Sequence, residues 1–386
     1  MKITQVISHY VPATRFGGPQ QVAHGLGKAL TRMGHEVSVC TTNMMDEHKD
    51  LQVAVNEQTD VDGVRVTYSP TCCSRYWAFS PGLWRSAKQE IADADFALVH
   101  FHYQFANWVG AHLARRNRKP YAIFAHGSFK HEAIERSGRW KKQLYLNVAE
   151  GKNLQAANRI YFNAREEQEQ SRFANSGCVL PNGIDPDEFQ DLPQRGAFRV
   201  KYGWSDDDIV FLFLGRIDYV GKGLDNLVPA FAKLVDEYRN VKLVFAGPDE
   251  RGGQDKLEQA LDEHNLKDCT QITGMLEGND KLAAFVDADA FLLPSRSEGM
   301  SIALLEALYL GLPVLVTNQV GLWQTIERTG AGIVVQTDTD LLPALKDLCN
   351  QQCRDRMRNS AVDEIRANFT WDAIAKTLLD DLGQLS

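Results

Sequence analysis

The sequence predicts an α/β protein made of two doubly wound, parallel-sheet domains, and three features predict it. Short strands rich in Val, Ile and Phe alternate with amphipathic helical stretches, the order that builds a parallel sheet covered on both faces. The alternation starts at the first residues, breaks at the turn-rich segment Pro181-Asn-Gly-Ile-Asp-Pro-Asp187, and then begins again. The length of 386 residues suits two or three domains, each able to bury a core.

The first domain is expected over residues 1–190. It opens with strand Lys2 to Ser8, helix Gln20 to Met33 and strand Glu36 to Thr41. Buried strands follow at Phe96 to Phe101, Tyr121 to Ala125, Arg159 to Phe162 and Cys178 to Leu180. The second domain, over residues 191–370, carries strands at Ile209 to Leu214, Lys242 to Ala246, Thr270 to Thr273, Ala290 to Leu293, Val314 to Val316 and Gly332 to Val334. A last amphipathic piece, Trp371 to Leu382, closes the chain. Ligands of such sheets bind beyond the carboxyl ends of the strands, and a cleft between two of them would hold a substrate away from water.

Composition narrows the class. Apolar content of 44% and charged content of 24% are those of an ordinary soluble protein. A formal charge of −8 argues against a general nucleic-acid binder. The seven cysteines show neither paired CxxC spacing nor a histidine pattern for zinc, so reduced thiols are expected. Met1-Lys-Ile-Thr-Gln-Val-Ile-Ser8 enters a strand at once, without the features of a secretion signal, and no run of about 18 apolar residues occurs. The expected location is the cytoplasm, either free or peripheral at the inner face of the membrane.

The most informative stretch is Phe291-Leu-Leu-Pro-Ser-Arg-Ser-Glu-Gly-Met-Ser-Ile-Ala-Leu-Leu-Glu306, an apolar strand, a Ser/Gly turn and a helix start. If the segment is helical, its two carboxylates, Glu298 and Glu306, stand roughly 12 Å apart with phosphate-attracting backbone N–H groups between them. One could then reach a hexose while the other reaches a ribose. Upstream, Phe211-Leu-Phe-Leu-Gly-Arg-Ile-Asp-Tyr-Val-Gly-Lys-Gly-Leu-Asp225 empties a strand into a glycine-bearing loop whose cations, Arg216 and Lys222, suit a diphosphate. In the first domain, Arg15-Phe-Gly-Gly-Pro-Gln-Gln21 supplies a tight turn at Gly17 and Gly18, and Ala122-Ile-Phe-Ala-His-Gly-Ser128 puts His126 just past a strand. Ordinary α/β construction also produces acidic helix starts, basic strand ends and turn histidines.

Taken together, these motifs resemble the retaining GT-B glycosyltransferases related to glycogen and sucrose synthases, of the family 4 type. Their C-terminal domain carries a Glu, seven residues, Glu motif that Glu298 and Glu306 match at full spacing. The resemblance covers nearly the whole chain, most specifically residues 211–335. It implies two Rossmann-like domains facing a deep cleft, with the last helix, 371–386, crossing back to the first. It also implies a diphosphate clamp at Arg216 and Lys222, a glycine loop at Gly17 and Gly18 facing that diphosphate, and His126 on the donor hexose. Glu298 would contact hexose hydroxyls and Glu306 the ribose. Gly299 and Met300 would offer backbone amides, with Ser301 and Ile302 completing the donor site. Gly247-Pro248 and Gly274-Met275 are where the nucleotide base would pack.

The activity implied is metal-independent transfer of a hexose, glucose from UDP-glucose first, onto a polysaccharide or lipid-linked glycan. No cofactor beyond the nucleotide sugar is expected. The Asp-x-Asp pairs Asp93-Ala-Asp95 and Asp287-Ala-Asp289, which could hold a metal in another glycosyltransferase architecture, read as turn residues before strands. On the acceptor side, Tyr76, Trp77, Phe79 and Trp84, with the basic clusters 115–119 and 136–142, either meet sugars and anionic lipid head groups or form a solvated face. A nucleotide-sugar 2-epimerase shares this architecture and is the alternative enzyme; a sugar-nucleotide sensor is the alternative outside enzymes. A dinucleotide-binding dehydrogenase would need Gly-x-Gly-x-x-Gly after a strand, which residues 15–21 lack.

Overall fold

The computed structural model describes residues 1–13, 17–46, 48–101, 103–128, 150–171, 173–174 and 177–384. The chain divides into two compact units, Met1–Gly183 with Trp371–Ser386, and Ile184–Thr370. Each is an α/β unit around its own sheet.

The first unit's sheet has eight strands: β1 (Lys2–Val6), β2 (Glu36–Thr42), β3 (Gln58–Val61), β4 (Val64–Ser69), β5 (Phe96–His100), β6 (Tyr121–Phe124), β7 (Arg159–Phe162) and β8 (Gly177–Val179). Their order is β3-β4-β2-β1-β5-β6-β7-β8. Central β1 lies parallel to both neighbours, with Ile3 opposite Val37 on one side and Phe96 on the other. Every residue of β5 and β6 is buried, the mark of a strand covered on both faces.

The β3–β4 hairpin was not foreseen from the sequence. It is the antiparallel edge of the sheet, and it turns on Asp62 and Gly63, both at positive φ (54° and 84°), with Asp60 Oδ1 accepting from the Gly63 amide at 3.0 Å. An Asp-Gly pair is the usual two-residue hairpin signal. The terminal helix Trp371–Gly383 belongs to this unit. Trp371 and Ile374 are buried, Asp372 pairs with Arg32 at 2.6 Å, and Asp381 takes Arg159 at 3.2 Å and the Tyr161 hydroxyl at 2.8 Å.

The second unit's sheet is wholly parallel, with strands β9 (Ile209–Leu214), β10 (Val241–Ala246), β11 (Thr270–Gly274), β12 (Ala290–Leu293), β13 (Val314–Thr317) and β14 (Gly332–Val335) in the order β11-β10-β9-β12-β13-β14. Helix Leu224–Glu237 covers it with a stripe of Leu224, Leu227, Val228, Phe231 and Leu234, spaced for one helical face. Burying each such side chain contributes about 1.5–3 kcal/mol.

Both Asp-x-Asp pairs make contacts within their own unit. Asp287 accepts from the amides of Gly196, Phe198 and Arg199 at the start of helix Ala197–Lys201. Asp289 takes the buried Arg199 guanidinium at 2.8 Å and the Val210 amide at 2.9 Å. Asp93 pairs with Lys2 Nζ and Asp95 accepts from the Lys2 amide. No helix among the described residues is long and apolar enough to cross a membrane.

Strand order locates the ligand edges. In each doubly wound sheet the crevice opens where the chain switches direction, beyond the carboxyl ends of the strands. In the second unit that point lies between the adjacent strands β9 and β12, and in the first between β1 and β5.

Candidate active site

The loop after β9 and the loop after β12 meet at the second unit's switch point. There Lys222 Nζ contacts Glu298 Oε2 in an ion pair whose side chains are only 15% and 20% exposed. Sequence local to each residue explains the meeting. Residues 218–222 form a tight turn, with the Lys222 amide donating to Asp218 O at 2.9 Å and Gly221 N to Asp218 Oδ1 at 3.0 Å. Gly223 follows at φ 68°, and a Cβ there would lie 2.1 Å from Pro294 O. Only glycine lets the Lys222 loop press against the chain leaving β12.

Arg296, which sequence reasoning passed over, staples the same two loops. Its guanidinium donates to Val220 O at 2.5 Å and pairs with Asp225 at 2.6 Å and Asp338 at 2.7 Å. Glu298 itself is extended rather than helical: it bridges Val320, and its amide donates to Gln319 O at 3.1 Å. The helix begins only at Ile302, capped by Ser301 Oγ accepting from the Leu304 amide at 3.3 Å. The helical rise expected across residues 298–306 therefore does not hold, since half of that span is loop held by the strand-like bridge. Gly299 adds to the tie by accepting from Gly321 N at 2.8 Å, and Met300 is buried.

Arg216 and Glu306 hold other partners. Arg216, half exposed, pairs with Glu250 at 3.0 Å. Glu306, one turn into its helix and buried, pairs with Lys281 Nζ at 2.7 Å; Lys281 also lies 3.6 Å from Glu188. Burial pushes the Glu306 carboxyl above its ordinary range, with Lys281 pulling the other way. Burial opposes the charge on Lys281, but the two carboxylates hold its pKa up. Gly247 ends β10 at φ 144°, where a Cβ would fall 1.9 Å from Gly215 O. Its amide donates to Gly274 O at 2.8 Å, which draws the β10 and β11 exits together. Met275 beyond them is 42% exposed.

In the first unit, β1, β5 and β6 deliver a buried polar chain to the carboxyl edge of their own sheet. Gln5 Oε1 meets His100 Nε2 at 2.7 Å, and His100 Nδ1 meets His126 Nε2 at 2.9 Å. His126 sits at φ 51° and stacks on Phe124 with ring centres 4.4 Å apart. Burial lowers His100 to about 3 and holds His126 well below its ordinary value, with His100 adding to the latter. Gly17 precedes helix Gly18–Arg32 at φ 90°; Arg15 and Phe16 of that loop lie outside the described residues.

Beside this chain a cavity of about 290 Å³ opens at the β1/β5 switch point. Ser8, His9, Gln20, Tyr76, Tyr103 and Gln104 are among its lining residues. Of the aromatic run, only Tyr76, 89% exposed, stands free of the core; Trp77, Phe79 and Trp84 pack against it. Arg115 and Arg116 end helix Phe105–Arg116, where the dipole favours cations. The second basic cluster, 136–142, lies outside the described residues. Among the described residues no group of three or more His, Cys, Asp or Glu is placed to hold a metal ion.

Comparison with known proteins matches both units. The family model described as "Glycosyltransferase Family 4" covers residues 16–188, and "Glycosyl transferases group 1" covers 194–364. An uncharacterized glycosyltransferase of Methanocaldococcus jannaschii is 28% identical over 97% of this chain and 96% of its own. The D-inositol 3-phosphate glycosyltransferase of Kineococcus radiotolerans is 27% identical over 94% of this chain and 89% of its own. The Anabaena protein HepE, solved with UDP and glucose, superposes with a TM-score of 0.76 at 17% identity, covering 100% of both chains.

Proposed function

We propose, from the premise that this chain belongs to the GT-B glycosyltransferases, that it transfers a hexose from a nucleotide sugar to a polysaccharide or lipid-linked glycan, with retention and without a metal ion. UDP-glucose is our first choice of donor, supported by the UDP and glucose of the HepE complex. The observation that carries the proposal is the Lys222–Glu298 pair at the β9/β12 switch point.

That pair suits a step in which the bond from the anomeric carbon to the diphosphate breaks and negative charge builds on the leaving group. Glu298 keeps the Lys222 ammonium neutralised in the free protein, and an incoming diphosphate competes for it. Lys222 and Arg216 then hold the growing charge, a preorganised contribution that typically carries a large share of such catalysis. Glu298, released from the ammonium, accepts hydrogen bonds from hexose hydroxyls beside the amides of Gly299 and Met300. Ser301 and Ile302 start the helix that faces the phosphates. We assign Glu306 to the ribose, the Gly247 and Met275 loops to the base, Gly17 and Gly18 to the diphosphate and His126 to the sugar.

For the acceptor, the cavity of about 290 Å³ is at the small end of ligand sites. It fits one terminal ring, with Tyr76 as a face to stack on. The inositol-phosphate relative supports a polar ring of this size.

The test is UDP release from UDP-glucose by the full chain, with and without candidate acceptors. Arg216→Ala and Lys222→Ala should each lower turnover by about 10²-fold, and excess chelator should change nothing. Near wild-type turnover of both variants at saturating donor would remove the clamp from the mechanism, and loss of activity in chelator would remove metal independence.

A further inference from the structure

The Gln5–His100–His126 chain admits one arrangement of protons. Ala23 O can only accept, so the Gln5 nitrogen must be the end that meets it, at 3.0 Å. That turns Gln5 Oε1, an acceptor, toward His100 Nε2 at 2.7 Å, and Nε2 must carry the hydrogen. A neutral imidazole has a single N–H. His100 Nδ1 is therefore a bare lone pair, and His126 Nε2, 2.9 Å away, must be the donor. The last atom of the series, His126 Nδ1, is left as an acceptor.

That atom is shut off from solvent and has no hydrogen-bond partner among the described residues. Buried polar groups are nearly always paired, and an exception at the ligand edge of a sheet calls for an explanation. Three further observations fix the ring where it is. Its backbone holds a left-handed φ of 51°, its face stacks on Phe124 at an interplanar angle of 8°, and Phe101 lies against it at 5.3 Å between ring centres. Strained backbone and unpaired buried atoms both cluster at ligand sites.

We propose that Gln5 and His100 are positioning residues that lock His126 in its Nε2–H form, so that Nδ1 accepts a hydrogen bond from a hydroxyl of the transferred hexose. The identity of the partner rests on the glycosyl transfer proposed above; the proton arrangement rests only on the chain of contacts. A consequence for specificity follows. The site takes a group with a hydrogen to give, while a fluorine or a carboxylate at the same place on the sugar sets lone pair against lone pair.

The experiment uses the full chain labelled with ¹⁵N-histidine and long-range ¹H–¹⁵N spectra, assigned with His126→Asn. His100 and His126 should both be protonated on Nε2 and bare on Nδ1. A proton on His126 Nδ1 would overturn the proposal. Gln5→Leu removes the acceptor that orients His100, so His126 should then show a mixture of both forms. The same variant should bind UDP as the wild type does and lose about two- to tenfold in kcat/KM with UDP-glucose, the factor by which the Nε2–H form of His126 is depleted. Unchanged kcat/KM with intact UDP binding would refute the positioning role. If neither UDP nor UDP-glucose binds the wild type, UDP-glucose is overturned as the donor, while the spectra still decide the tautomer. They need no variant, so a Gln5→Leu chain that fails to fold leaves the proposal exposed to refutation.

Discussion

Acid should unfold the first unit in a narrow window above the range of ordinary carboxylates. His9, His100 and His126 are held neutral chiefly by burial, His9 at about 4 with Arg75 assisting, His100 at about 3, and His126 well below the usual imidazole value. In the unfolded chain each titrates near about 6.5. A lowered folded value makes the unfolded state the better proton binder, so this stability is fully present above that pH and is lost as pH falls toward the folded values. Each imidazole contributes a slope of about 1.4 kcal/mol per pH unit within the window. Between pH 7 and pH 5 that comes to roughly 2 kcal/mol each and about 6 kcal/mol for the three. A domain holds only about 5–15 kcal/mol in total. Urea unfolding, followed at a series of pH values through the fluorescence of Trp77, Trp84, Trp108 and Trp371, should show the midpoint dropping steeply below pH 6.5. Unfolding near pH 5.5 should take up close to three protons from these groups, measurable by calorimetry in buffers of different ionisation enthalpy. A midpoint that is flat from pH 7 to 5, or uptake below one proton, would refute the claim that burial keeps these rings neutral.

The remaining predictions concern the second unit. Lys281→Met leaves the Glu306 carboxylate buried without its counter-charge and should destabilise the protein by about 3–5 kcal/mol, read as a lower thermal midpoint; adding Glu306→Gln should recover part of it, and no recovery would mean that the ion pair is not the cause. Gly247→Ala forces a side chain into a backbone region closed to it, 1.9 Å from Gly215 O, and should cost about 3 kcal/mol or more. A wild-type urea midpoint for that variant would show that the β9 and β10 exits yield easily.

Much of this molecule was legible before folding was considered, for identifiable reasons. Strands such as Ile209–Leu214 and Ala290–Leu293 are continuous apolar runs because both faces of a parallel sheet are covered, so the runs announced themselves. Lys222 and Glu298 were legible because each follows such a strand in a glycine-bearing loop. The β3–β4 hairpin was missed because Gln58–Val61 alternates between exposed and half-buried positions and carries little apolar signal, although its Asp62-Gly63 turn was visible. Partners were missed most often. Arg296 reaches Asp225 across 71 positions, and Lys281 reaches Glu306 across 25. The His100–Gln5 contact spans 95. None of these separations follows a helical or strand period, so no pattern in the chain points to them.

What the sequence determined by itself was the set of elements and the chemistry offered at their ends, because apolar periodicity and turn residues act over a few positions. Strand order was decided only in three dimensions. Placing β9 beside β12 brought Lys222 to Glu298, and placing β1 beside β5 joined Gln5 to His100 and through it to His126. The physical reason is that hydrogen bonding between strands and closure of a shared core select neighbours by fit rather than by proximity along the chain, and the protonation of a buried ring is set by whichever neighbours that selection supplies.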